Sequence, residues 1–126
     1  MAGKRILIAE DDPVSLKLVR DVLQANGYDT TEVTNGEEVV ANAVRSKPDL
    51  IVMDIRLPKM DGLQAASLIR KNPKTQAIPI LAATAKALLG DREKCLASGC
   101  DDYIAKPFTY KALGAAIKKL LKSSES

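Results

Sequence analysis

The chain has 126 residues, 46% of them hydrophobic and 28% charged, which is ordinary for a globular protein and enough for one domain with its own core. Its formal charge of +3, with no Trp, one Phe and three Tyr, leaves little material for a stacking platform on nucleic acid. The apolar runs fall short of a bilayer span, Met1 to Arg5 carries no leader-like run, so a cytoplasmic protein is expected, and the absence of histidine excludes any imidazole base, ligand or phosphohistidine within this chain.

Ile6 to Ala9 form a short apolar run that stops at Glu10-Asp11-Asp12-Pro13. Asp12 can cap a helix that accepts Pro13 in its first turn, and Leu16, Val19, Val22 and Leu23 recur at helical spacing until Asn26-Gly27. Tyr28 to Val33 is a more polar strand, suited to a sheet edge. Asn35-Gly36 turns the chain into a second helix, with Glu37 and Glu38 at its positive end and Val39, Val40, Ala43 and Val44 as its apolar stripe.

Leu50 to Met53 read as a strand buried on both faces that ends at a carboxylate, Asp54, and Pro58 and Asp61-Gly62 prevent its continuation. Leu63, Ala66, Leu68 and Ile69 mark a third helix that ends near Asn72-Pro73. Ile78 to Ala83 give a fourth strand, with Pro79 at its entrance, finishing at Thr84. A helix containing Arg92, Lys94, Cys95 and Leu96 closes at Ser98-Gly99; its start, between Ala85 and Gly90, has no clear signal. Cys95 and Cys100 match neither CxxC nor a zinc spacing and read as two reduced, partly buried thiols. Tyr103 to Ala105 form a brief fifth strand before Lys106-Pro107, and Leu113, Ala116, Ile117, Leu120 and Leu121 mark a last helix, with a polar tail over 123–126.

Strands alternating with helices predict an α/β fold, a doubly wound (βα)5 domain over residues 1–126 with a five-stranded parallel sheet. The edge-like second strand favours the flavodoxin-like order 2-1-3-4-5, which sets the first and third strands side by side at the switch point where such sheets bind ligands. Glu10, Asp11 and Asp54 then converge. Carboxylates so placed repel unless a cation neutralises them, and an all-oxygen donor set suits magnesium, or manganese, rather than zinc. Thr84 and Lys106 arrive on the same edge, a hydroxyl and an ammonium of the kind that holds a phosphoryl group. Taken singly, each has a plainer reading. Asp54 can be a turn or capping residue, Glu10-Asp11-Asp12 an exposed acidic turn, Thr84 a strand-end hydroxyl, and Lys106 a surface charge.

The sequence resembles the receiver domains of two-component response regulators, the CheY-like superfamily and its single-domain DivK type. The resemblance runs through ILIAEDD at Ile6 to Asp12, DIRLPKMDG at Asp54 to Gly62, Ala82 to Ala85, Gly99 to Tyr103 and Lys106-Pro107-Phe108. It implies a phosphoacceptor at Asp54, and magnesium on Asp11, Asp54 and the backbone carbonyl of Arg56, with Glu10 acting through water. Lys106 would contact the phosphoryl group, Lys106-Pro107 would be a cis peptide, and Asp12 would be a cap first and a ligand second. Thr84 and the ring of Tyr103 would switch, repacking the face formed by the fourth helix, fifth strand and fifth helix. The plainer reading of Tyr103 is an edge-strand aromatic that covers core. Arg56 and Lys86, two residues past the acceptor and the hydroxyl, fall where the family tunes hydrolysis.

The partners implied are a histidine kinase or a histidine phosphotransfer protein as donor and a downstream protein target, with neither nucleic acid nor membrane. No turnover of an external substrate is expected, and with the chain ending after the fifth helix, output is expected through binding. Two alternatives stand beside this reading. One is a magnesium-dependent aspartyl-phosphate phosphatase or phosphotransferase, although such hydrolases usually carry an acid where this chain has Arg56. The other is a scaffold of receiver fold that works without phosphorylation.

Overall fold

A computed structural model describes residues 3–84, 90–106 and 108–124; Lys86, Pro107 with the peptide bond before it, and the segment 85–89 before the fourth helix lie outside the described residues. Five parallel strands, β1 (Arg5–Ala9), β2 (Asp29–Val33), β3 (Leu50–Asp54), β4 (Ile80–Thr84) and β5 (Asp102–Ala105), form one sheet in the order β2-β1-β3-β4-β5. They alternate with helices α1 (Pro13–Ala25), α2 (Gly36–Ser46), α3 (Gly62–Lys71), α4 (Asp91–Ser98) and α5 (Tyr110–Ser124). Both the fold class and the strand order agree with the sequence reading. The helix α5 runs over Ser123 and Ser124, which the sequence suggested as tail.

The strand pleat sorts the core into two layers. Ile6, Ile8, Leu50, Val52 and Leu81 point to one face, where Val19, Val22 and Leu23 of α1 and Leu113, Ile117 and Leu120 of α5 cover them. Leu7, Ile51, Met53, Ile80 and Ala82 point to the other, beneath α2, α3 and Cys95 of α4. Because β1, β3 and β4 are buried on both faces, their sequences are unbroken apolar runs, whereas β2 at the edge keeps only Val33 fully buried. Each fully buried Leu or Ile stabilises the fold by about 1.5–3 kcal/mol, so the central strands hold the sheet edge above them in place.

Two helix stripes differ from the periodicity. In α2, Asn42 is buried while Val40 and Val44 are only partly so. In α3, Ala66 and Ile69 are buried as expected, but Leu68 is 40% exposed and Ala65 is fully buried instead. Because α3 packs against both α2 and α4, its contact face needs small residues, and the bulky Leu68 turns to solvent.

Candidate phosphoacceptor and metal site

The site stands at the carboxyl edge of the sheet, where β1 leads away to β2 on one side and β3 leads to β4 on the other. The register Ala9↔Met53 makes Glu10 and Asp54 neighbours across the two strands. Glu10 continues the ladder with its amide donating to the carbonyl of Val33 at 3.1 Å, and its carboxylate accepts from the amide of Asp12 at 3.2 Å. Asp12 in turn caps α1, its side chain accepting from the Ser15 amide at 3.1 Å, with Pro13 as the first helical residue.

Oxygens of Glu10, Asp11 and Asp54 all lie within 4.8 Å of one another, from a buried, an exposed and a half-buried residue respectively. Lys106 reaches across from the end of β5, its Nζ donating to Glu10 Oε1 and, at 3.3 Å, to Asp54 Oδ2. Burial pushes the Glu10 carboxyl above its ordinary 4.5 and the charge of Asp54 adds to that, against the pull of Lys106 and the Asp12 amide. For Lys106, burial opposes the charged form, but its contacts with the two acids outweigh burial and raise its pKa above 10.5. Three carboxylates against one ammonium leave the pocket short of positive charge. An all-oxygen set of this kind fits a hard divalent cation.

The loop that follows Asp54 is held from several directions. Asp54 Oδ1 accepts from the Arg56 amide at 2.9 Å, which fixes the carboxylate, and the amide of Gly62 donates to the carbonyl of Ile55 at 2.9 Å. A Cβ on Gly62 would meet Ile55 Cα at 2.6 Å and the Asp54 carbonyl oxygen at 2.7 Å, so this position requires glycine for close backbone approach. Gly36 is equally constrained, since a Cβ there would sit 1.8 Å from the Met60 carbonyl oxygen. Lys59 takes a left-handed φ of 66°, and Asp61 caps α3 by accepting from the Gln64 amide at 2.8 Å. Between this loop and α4, a cleft of about 440 Å³ runs from Asp11 and Arg56 to Lys94.

Of the residues expected from sequence, Glu10, Asp11, Asp54 and Lys106 meet directly. Thr84 is buried at the end of β4, paired in register with Ala105, and its carbonyl accepts from the Lys106 amide at 2.8 Å. Arg56 is exposed at the cleft wall, and Tyr103 is half-buried on β5 against the α2–α3 side of the core. Sequence reasoning missed the pairing of Lys106 with Glu10, which joins residues 96 apart, and the presence of Asp61 and Lys94 at the cleft. Only Asp61 carried a signal, its place three residues before Gln64 at a helix start. Neither cysteine is in a disulfide, and both are buried, deeper than expected.

The family model described as "Response regulator receiver domain" matches residues 6–118. The polar-differentiation response regulator DivK of Brucella anthropi is 38% identical over 118 residues, covering 94% of this chain and 96% of that protein, and that of Brucella ovis is 37% identical over the same shares. Among solved structures, the receiver domain of the sensor histidine kinase PA1611 from Pseudomonas aeruginosa PAO1 superposes with a TM-score of 0.90 at 41% identity, covering 96% of this chain and 99% of that one; it holds a magnesium ion in its active-site cleft. A CheY-like response regulator receiver domain protein from Methanospirillum hungatei JF-1 gives a TM-score of 0.88 at 29% identity, covering 98% and 97%.

Proposed function

The chain belongs to the response regulator receiver family of two-component signalling, and from that premise we propose that Asp54 is its phosphoacceptor and that phosphorylation changes which partner it binds. An oxygen of the Asp54 carboxylate attacks phosphorus in line while the bond to the donor nitrogen breaks, and the electron pair leaves with the donor. The acceptor is already ionised, so no general base is needed. Since these 126 residues contain no histidine, the phosphohistidine donor lies outside them, on a histidine kinase or a phosphotransfer protein.

The observation that carries this reading is the convergence of Glu10, Asp11, Asp54 and the Lys106 ammonium at one sheet edge. A divalent cation, magnesium or else manganese, would be held by Asp11, Asp54 and the Arg56 backbone carbonyl, with Glu10 acting through water, and would offset charge on the transferring group. Lys106 holds the acceptor in place before transfer and shifts toward the added phosphoryl oxygens after it. Thr84 supplies a hydroxyl to the same group, and the Tyr103 ring follows it inward, repacking the α4, β5 and α5 face. Arg56 and Lys86 restrict the water that would cleave the acyl phosphate. The protein acts in the cytoplasm, on partners rather than on an external substrate; among the described residues no helix is long and apolar enough to cross a membrane.

Incubation with acetyl phosphate and magnesium tests this. One acid-stable, base-labile label per chain, absent from Asp54→Asn, is the expected result. Continuous release of phosphate would instead indicate a hydrolase, and no label at all a scaffold. Arg56→Ala should lose its label at least as fast as the parent, and Tyr103→Ala should bind a partner with equal affinity in both phosphoforms.

A further inference from the structure

Four of the 19 basic residues sit on one helix with no acid beside them, and they account for the net positive charge of the chain. Between Tyr110 and Ser124, α5 carries Lys111, Lys118, Lys119 and Lys122 and no acid. With +3 on the whole chain, the +4 of α5 leaves −1 for everything else. Lys111, Ala115, Lys118 and Lys122 follow steps of four, three and four, so they line one face, opposite the Leu113, Ile117, Leu120 and Leu121 face that packs on the sheet. All four lysines are exposed, and among the described residues none of them makes an ion pair. By contrast, Lys17 and Arg20 on α1 are each paired with an acid, at 2.8 Å to Asp21 and 3.0 Å to Glu32. Unopposed like charges repel along a helix, so this row is costly to the isolated domain.

We infer that the outward face of α5 is a docking stripe for an acidic helix on a partner protein. From Lys111 to Lys122 the row extends roughly 16 Å, at 1.5 Å per residue, about the length of a three-turn helix laid alongside. Lysines offer point charges on flexible stems, which suit carboxylates spread over such a helix. The stripe has no arginine to grip a phosphate bidentately and no aromatic to stack on a base, which disfavours nucleic acid. Only Ala115 stands between the lysines, and Leu113, Ile117, Leu120 and Leu121 are buried in the core; the one large exposed hydrophobic side chain among the described residues of α5, Tyr110, lies off this row at the start of the helix, so the row itself has no apolar side chain to insert into a membrane. The inference rests on the receiver reading in taking the partner to be a protein.

The test uses the full chain and a synthetic helical peptide with glutamates at steps of four, three and four, beside a scrambled peptide of the same composition. The ordered peptide should shift the backbone amide resonances of residues 111–122. Its affinity should fall on the order of tenfold in Lys118→Glu/Lys122→Glu, less in Lys118→Gln/Lys122→Gln, and not at all in Lys71→Glu/Lys74→Glu, whose exposed lysines lie elsewhere. Equal binding of the scrambled peptide, an equal loss in the Lys71/Lys74 control, or tighter binding of duplex DNA or phosphatidylserine vesicles through the same amides would each overturn the inference. Acetyl phosphate labelling of the same samples separates the two readings. A normal Asp54 label without peptide binding removes only the docking stripe, whereas no label in the parent removes the receiver reading whatever the peptide does.

Discussion

The loop that leaves β3 and the helix α4 face each other across the same cleft, yet they are secured in opposite ways. The loop is fastened throughout, by the Arg56 and Gly62 amides, by the capping carboxylate of Asp61 and by two glycines that permit backbone contact. Among the described residues, the fastenings of α4 gather at its finish. Its start at Gly90 has φ 91° and no side-chain cap, and Cys95 is its fully buried residue. Its finish is clasped by Arg70, whose guanidinium donates to the carbonyls of Gly99 at 2.8 Å and Ile78 at 2.7 Å and pairs with Asp101 at 2.6 Å. The loop side of the cleft is thus preorganised, and on the proposed reading α4 is the side that responds, moving relative to its clasped finish. Low local stability is expected of an element that moves.

That contrast can be attacked from both sides. The largest effect should come from Gly62→Ala, where overpacking against backbone costs about 3 kcal/mol in urea unfolding and suppresses labelling of Asp54. Next, Arg70→Met removes a half-buried cation that serves three segments and should cost about 2 kcal/mol, with faster amide exchange across the end of α4 but not in the acceptor loop. Gly90→Ala introduces a strained left-handed residue into open space and should cost only about 1 kcal/mol, leaving Asp54 labelling intact. A loss as large as that of Gly62→Ala would show that the start of α4 is as fixed as the loop.

Two further effects are conditional. Millimolar magnesium should raise the melting temperature by binding the native state, and Asp11→Asn should weaken that dependence while leaving the α4 variants as responsive as the parent. The smallest effect at neutral pH concerns Cys100, beyond the clasped end of α4. Burial pushes its thiol from 9.0 up to about 12. A thiol raised in this way favours the folded state while the unfolded chain also stays protonated, and that contribution is lost as pH rises from 9 toward 12. Unfolding followed from pH 7 to 11 should therefore show an alkaline decline in the parent that Cys100→Val does not share.

Much of this was legible in the sequence because the strongest signals are local. The apolar run ending at Asp54, the Asp12-Pro13 cap and the polar edge strand each depend on a few adjacent residues, and together they fix strand order and hence which strand ends meet. What was not legible depends on distant packing. Nothing near Leu68 indicates that the buried face of α3 takes Ala65, Ala66 and Ile69 and leaves Leu68 outside, and nothing near Asn42 marks it for burial. The Arg70 clasp joins residues 29 and 31 positions apart. Lys106 could be placed at the sheet edge from topology, but its choice of Glu10 over open solvent follows from the shortage of positive charge there, which exists only once three acids have been assembled.

Lys106 is gripped at two levels, by its ammonium to the acids of β1 and β3 and by its own amide to the carbonyl of Thr84. The residue is thus a tie rod between the acceptor and the strand that carries the hydroxyl. Because both ends are held, a shift of the head group should pull on the end of β4, the strand that precedes α4 in the chain. Cutting the head group from the rod, as in Lys106→Ala, should leave the backbone joint whole while uncoupling the end of β4 from the acids.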